Sequence, residues 1–450
     1  MMKTIEKRKT FDFTQGDIAL PLIAFAIPML LGNILQQTYS IFDSIVVGRF
    51  IGKEALASIG ASNPITRLSI ALVIGITLGV SVAVSQAIGS HKQDDVKKAI
   101  STAYIFFTGF SFVITVIGFA ITPYVLKLIG TPSEVLPLAI TYLRITFIGT
   151  IPMVGYNVSA SVFRGLGNSR VPLIMLAIST VINIILDLIF VLALNLGVAG
   201  TAWATLLSQT ISFILSLLIL LKNYSLYFTK DSIKVFEVSS LKKFLKIGVP
   251  SGLKGSMYWL GYVLITSIIN SFGTETVAAF SIASKIDSFV QTPMISLSNA
   301  LSTYVGQNVG AKQPQRIKQG VRVSVLIGIL FSFIMTLSVF TFSKNLMSIF
   351  TDNIEVIEIG AKYLKIVSAL YLVFALQEVP QGVAVGCGDT LWLLLSTICA
   401  MWVVRLPLAY TLSDKFGLTG LWFSIPSGWF VAFLFANSYV LSGYWKKKIK

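Results

Sequence analysis

The stretch VINIILDLIFVLALN, residues 181–195, is apolar except for Asn183, Asp187 and Asn195. Its apolar character begins near residue 171, which gives it the length of roughly 20 residues that a bilayer-spanning helix needs. Asn183 and Asp187 lie four residues apart, so a helix carries them on one face. A carboxylate at the centre of such a helix costs about 2.5–3.5 kcal/mol to insert, so it is expected to face a partner or a cavity.

The rest of the chain repeats the pattern. Of its 450 residues, 55% are hydrophobic and only 12% charged, whereas soluble domains are usually about 25% charged. The mean hydropathy is +0.81. Apolar runs lie near 19–48, 61–86, 99–126, 137–162, 171–195 and 197–221. Six more lie near 244–271, 277–305, 321–344, 359–384, 391–413 and 418–442. The expected fold is an all-α polytopic membrane protein with twelve transmembrane helices. The expected organisation is a tail over 1–17, a first lobe over 18–222, a linker over 223–243, a second lobe over 244–443 and a basic tail over 444–450.

The net charge of +16 does not indicate nucleic acid, because the basic residues gather in short connections between apolar runs. Lys92, Lys97, Lys98, Arg164, Arg170, Lys242, Lys243, Lys246, Lys312, Arg316 and Lys318 all fall on one side of a twelve-span layout. Lysine and arginine favour the cytoplasmic side, so both termini are expected there. The start, MMKTIEKRKTFDF, has no small-residue cleavage site and reads as a cytoplasmic tail. Two cysteines, Cys387 and Cys399, and one histidine, His91, offer neither a disulfide framework nor metal spacing. With no phosphate-binding glycine motif and no catalytic constellation, an enzyme is not expected.

A constant offset of 221 residues relates Gly52 to Gly273, Glu54 to Glu275, Gln86 to Gln307, Gly89 to Gly310 and Glu134 to Glu355. It also matches GLGNS at 165–169 with GCGDT at 386–390. The chain therefore reads as a duplicated six-helix unit. Because six is even, both copies enter the membrane from the same side, which implies a pseudo-twofold along the membrane normal. Duplication within one chain favours a carrier over a pore.

The duplication also sorts the polar residues. The counterparts of Asn183 and Asp187 are Val404 and Leu408, and that of Asp43 is Leu264 or Ile265. Polar groups present in one copy only look like an addition to the scaffold. Asp187 lies about eight residues before the outer turn near Leu196, and Thr205 about nine after it. At ~1.5 Å per residue both are ~12–14 Å deep. Carboxylate, amide and hydroxyl oxygens suit Na⁺ or a proton; the alternatives are a helix-to-helix hydrogen bond for Asp187 and hydration for Asp43. In the second half, Glu378 with Gln377 is a further candidate. Lys254 and Arg405 would be its partners or would snorkel, and Asp287, near Lys285, is expected at a helix end. GITLG at 75–79 reads as helix packing.

These residues resemble the multidrug and toxic compound extrusion family over nearly the whole chain, most closely its DinF-like branch. YSIFDSIVVGRFIGKEALA, with Pro28 before it, resembles the family's first span. NIILDLIFV followed by GVAGTAWAT resembles the fifth and sixth spans. The resemblance implies an antiporter that exports amphipathic, cationic organic compounds in exchange for inward Na⁺ or H⁺, with no cofactor besides the coupling ion. It makes Asp43, Asn183, Asp187 and Thr205 the cation-site residues, where Na⁺ would bind if it is the ion, with Tyr39 and Pro28 in support. Gln36, Met257, Glu378 and Arg405 are candidates for the substrate cavity. Met257 stands where the NorM-like branch has a cation-binding glutamate, a departure that argues against that branch's site. The expected setting is the cell membrane, as a monomer whose partners are lipid and small organic substrates, not nucleic acid. The alternative is a flippase for lipid-linked oligosaccharides from the same superfamily.

Overall fold

A backbone crossing hydrocarbon must bond to itself, so apolar runs fold as helices even where glycine and proline interrupt them. The computed structural model describes residues 10–228 and 235–449, except the side chains of residues 40, 41, 43–46, 49 and 53. The first half contains α1 (Ala19–Val46), α2 (Lys53–Gly89), α3 (Gln93–Leu128), α4 (Leu136–Ile148), α5 (Thr150–Gly165), α6 (Arg170–Leu188) and α7 (Gly197–Asn223). The second contains α8 (Val238–Asn270), α9 (Thr274–Gly310), α10 (Pro314–Thr341), the short α11 (Ser343–Ser348), α12 (Ile354–Ser368), α13 (Tyr371–Cys387), α14 (Thr390–Thr397) and α15 (Leu406–Leu441).

Among the described residues, seven helical segments are long and apolar enough to cross a membrane. The pairs α4–α5 and α12–α13, bent by 42° and 52°, raise the number to nine. The segment ending in α15 breaks at Gly417, whose φ is 58°, and so supplies two passages. The 33-residue α8 and 37-residue α9, long enough but more polar, complete the twelve.

The chain divides into two compact units. One comprises Pro28–Gly248 with the stretch ending at Asp12, the other Phe13–Ile27 with Val249–Lys450. Phe13 belongs to the second because its N–H donates to Gln307 Oε1 at 2.8 Å and its ring lies edge-on to Tyr304.

The 221-residue offset reappears in the backbone geometry of each unit. Positive φ occurs at Gly52 and Gly273, at His91 and Lys312, and at Gly167 and Gly388, the last pair both at 82°. The Thr115 hydroxyl donates to the Phe147 carbonyl at 3.0 Å, and that of Thr336 to the Ser368 carbonyl at 2.7 Å. A Cβ on Gly165 would lie 2.8 Å from the Ser81 carbonyl oxygen, and one on Gly386 would lie 2.6 Å from that of Ser302. Only glycine allows α5 to approach α2, or α13 to approach α9, so closely.

The helices are polar-small inside and apolar outside. On α10, Gly320, Ser324, Gly328 and Ser332 are buried at four-residue spacing. Leu326, Leu330, Phe333 and Leu337 are 61–66% exposed on the opposite side. Small residues let helices approach where lipid gives no hydrophobic drive to associate, while the exposed large side chains match the acyl chains. On α7, Ser208, Ser212 and Ser216 form a similar buried seam. Gly79, from the GITLG stretch, packs against the Phe244 backbone, a helix-packing role as expected.

Candidate functional site

The candidate site lies in the first unit, between α1, α6 and α7. Asn168 caps α6 through its Oδ1, which accepts from the N–H groups of Arg170 and Val171 at 3.0 and 3.1 Å. That satisfies donors a helix start would otherwise leave open. From this start, Asn183 and Asp187 turn to the buried face, 1% and 0% exposed.

The Asn183 amide has two orientations, and its neighbours decide between them. A carboxylate only accepts, so the amide nitrogen must face Asp187. It then donates to Asp187 Oδ2 at 2.9 Å, while the amide oxygen accepts from the Thr205 N–H at 3.2 Å. The reverse orientation would give only a 3.4 Å contact from nitrogen to Thr205 Oγ1 and would set oxygen against carboxylate. From α1, the Tyr39 hydroxyl lies 3.0 Å from Thr205 Oγ1. Tyr39, Thr205, Asn183 and Asp187 thus form one hydrogen-bonded chain across three helices.

Both candidate carboxylates lie within about one turn before a π-helical turn. Val47–Ile51 follows Asp43 on α1, and Ile189–Ala193 follows Asp187 on α6. In each, an N–H reaches back five residues, from Gly52 to the Val47 carbonyl and from Leu194 to that of Ile189. The two turns pack against each other. Such turns are rare and recur at functional sites. Nothing in the hydrophobic pattern marks them, since apolar residues fill both. The side chain of Asp43 lies outside the described residues. Pro28 is buried inside α1, and Gln36 is exposed on the same helix.

In the second unit, the expected residues fall into two groups. Glu378 Oε1 accepts from Gln381 Nε2 at 3.0 Å and Gln377 Nε2 at 3.4 Å, and Lys254 Nζ donates to Gln381 Oε1. Lys254 therefore reaches Glu378 through an amide. Arg405 does not snorkel; it is buried, 6% exposed, at the end of the π-helical turn Ile398–Arg405. Met257, half-buried, offers its carbonyl to the Trp402 indole at 3.1 Å. The expected placement of Asp287 at a helix end is corrected: it lies well inside α9, 6% exposed. The helix starts at Thr274, directly after Gly273 with its φ of 95°, so Lys285 is no boundary. The signal in the sequence is the Asp287–Gln291 spacing, which mirrors Asn183–Asp187.

The family model described as MatE matches residues 28–189 and again 250–411, the two copies that the internal repeat defines. The chain belongs to the multidrug and toxic compound extrusion family. Among its relatives, it is 30% identical over 441 residues to the probable multidrug resistance protein YpnP of Bacillus subtilis, covering 97% of this chain and 98% of that one. It is 26% identical to the probable multidrug resistance protein NorM of Thermotoga maritima, with 96% and 94% covered. The solved structure of a multidrug resistance MATE family transporter in an outward-facing conformation superposes with a TM-score of 0.88 at 24% identity, covering 96% and 99% of the two chains. MATE membership fixes a multi-pass membrane transporter of twelve helices. Among the described residues, no three His, Cys, Asp or Glu side chains converge as a metal site.

Proposed function

We propose that this MATE transporter is an antiporter that exports amphipathic organic cations in exchange for inward Na⁺ or H⁺, with the coupling ion held at Asp187 and Asp43. The observation that carries the reading is the fully buried Asp187, joined through Asn183 and Thr205 to Tyr39 on a third helix. A carboxylate at this depth is expensive unless a partner or a cation compensates it. Its surroundings are neutral oxygens and an amide, which are hard ligands fit for Na⁺ and hydrogen-bond partners fit for a protonated carboxyl.

In the proposed cycle, ion uptake at the two aspartates bends α1 at Pro28 and lowers drug affinity. The drug leaves outward, and the ion is released to the cytoplasm, where both termini lie. One charge crossing 100 mV is worth about 2.3 kcal/mol, roughly a fiftyfold concentration ratio. Exchange of one Na⁺ for one monovalent organic cation gains none of this, so that mode runs on the ion gradient alone or takes a second ion. The flippase reading is the weaker one. A pyrophosphate substrate would call for several free deep cations, whereas Lys254 is engaged through Gln381 with Glu378.

Everted plasma-membrane vesicles containing the protein test the reading. An imposed outward Na⁺ or H⁺ gradient should drive a fluorescent organic cation into the lumen, and control vesicles should take up none. Equal uptake in both would sink it.

A further inference from the structure

The last residues of the second unit fold back onto it. After α15 ends at Leu441, Gly443 takes a φ of 68° and the chain enters the 3₁₀ turn Tyr444–Lys448. Trp445 anchors the turn: it is 3% exposed, and its indole N–H donates to the Val440 carbonyl at 3.2 Å. Lys448 Nζ meets Asp389 Oδ1 at 2.7 Å, and the Tyr439 hydroxyl donates to Asp389 Oδ2 at 2.7 Å. Asp389 lies between α13 and α14, so the turn is pinned to the end of the bundle.

The three lysines have different settings. Lys448 is committed to Asp389. Lys447 Nζ lies 5.1 Å from the centre of the Tyr444 ring, a cation–π contact that leaves its N–H groups available. Lys446 and Lys447 are exposed, and among the described residues neither has an acidic partner. Beside them runs an apolar, aromatic rim. Leu441 is 84% and Tyr444 48% exposed, and the rings of Tyr444, Tyr439 and Trp392 follow one another at 6.1 and 6.2 Å. Tyrosine and tryptophan gather where hydrocarbon gives way to headgroups.

The internal repeat separates scaffold from addition. In the first copy, 221 residues earlier, Tyr224 stands for Trp445. It is buried, and its hydroxyl accepts from Nδ2 of Asn168, the counterpart of Asp389, at 2.8 Å. A buried ring after the last helix is therefore common to both copies. The cations are not: Ser225, Leu226 and Tyr227 occupy the positions of Lys446, Lys447 and Lys448. Lysines that only held this end of the chain on one side of the membrane could sit on a loose tail and would need no such anchor.

We propose that this turn is a binding site for the headgroup of an anionic phospholipid in the leaflet nearest the C-terminus. Lys446 and Lys447 hold the phosphate, and Leu441 and Tyr444 flank the lipid below it. Basic residues next to a span attract anionic lipid, and a fixed turn presents both lysines without the cost of ordering a tail. The place of the turn, at the end of a membrane span with an apolar rim, favours lipid over an acidic soluble partner.

Native mass spectrometry of the purified full-length protein tests this, with dioleoyl phosphatidylglycerol or dioleoyl phosphatidylcholine titrated in and the first lipid bound as the readout. Wild type should prefer phosphatidylglycerol. Lys446→Ser combined with Lys447→Leu, which installs the first copy's residues, should reduce that preference by about fivefold per lysine, roughly 25-fold in all. Lys242→Gln combined with Lys318→Gln removes the same charge from two other exposed positions and should leave the preference intact. Equal losses in the two double variants would mean diffuse attraction and would overturn the proposal, as would an unchanged preference in the first. If the first double variant does not fold, Lys446→Gln alone must show the loss of about fivefold, and an unchanged preference overturns the proposal equally. Glycerol phosphate in excess should not displace the bound lipid; displacement would assign the turn to a soluble phosphate and overturn the lipid site.

Discussion

Replacing Asn183 by alanine withdraws the donor that meets Asp187 Oδ2 at 2.9 Å and the acceptor that meets the Thr205 N–H at 3.2 Å. Hydrogen bonds to charged groups contribute about 1.5–3 kcal/mol, and a buried partner left unsatisfied costs its full desolvation penalty. Asp187 is 0% exposed, so water does not readily replace the amide. For a unit the size of Pro28–Gly248, 1 kcal/mol moves Tm by about 2–4 °C, which gives a drop of roughly 3–12 °C for Asn183→Ala. The stronger test is the double-mutant cycle with Asp187→Asn. Once the carboxylate is neutral, losing its donor matters less, so the double variant should be more stable than the sum of the single effects by about 1 kcal/mol or more. Thermal unfolding of the purified protein, with each variant checked for monodispersity, supplies the four values. Single effects that add within about 0.5 kcal/mol would mean that Asn183 and Asp187 are not energetically joined, and the hydrogen-bonded chain would lose its middle link.

Other regions give separate expectations. Gly386→Ala should lower thermal stability by about 1–3 kcal/mol, because its methyl would press on the Ser302 backbone, whereas Gly109→Ala, with open space around it, should be neutral or stabilising by up to about 1 kcal/mol; unfolding temperatures compare the two. Leu330→Arg should cut membrane insertion by about 2.5–3.5 kcal/mol if the 64% exposed Leu330 faces lipid, and wild-type levels in the membrane fraction would refute that placement. Outside the membrane, the Ser240 hydroxyl, with help from Lys98, holds the Glu237 carboxyl below its ordinary value of 4.5. A carboxyl depressed on folding contributes stability above its unfolded value and loses that contribution as the pH falls through its folded value. The stability gap between wild type and Glu237→Gln should therefore be full at neutral pH and close as the pH drops below 4.5; a gap that widens on acidification would reverse the sign.

The twelve helices and the duplication were legible because both are repeated many times over. Each apolar run is long, and the 221-residue offset recurs at glycines whose positive φ the backbone requires, such as Gly167 and Gly388. The cluster of Tyr39, Asn183, Asp187 and Thr205 was legible because helical spacing and depth from a shared turn constrain where such residues meet. Asp287 was misplaced because Lys285, two residues away, looks like an interfacial anchor in a linear reading. Which face each occupies depends on the helix's rotation against α12 and α13, and no local pattern encodes that. The π-turns after Asp43 and Asp187 were invisible for a related reason: an extra residue per turn changes no side-chain type. The amide relay from Lys254 to Glu378 needs three-dimensional distances, since Gln381 looks like any other polar residue of a span.

The central claim is that Asp187 holds the coupling ion. Its most direct test is transport by the purified protein in liposomes, with a fluorescent organic cation followed under an imposed Na⁺ gradient and, separately, an imposed H⁺ gradient. Wild type should move the dye under one of these gradients, and Asp187→Asn, folded and inserted to the same extent, should leave it unmoved. Dye movement by Asp187→Asn at the wild-type rate would contradict the claim.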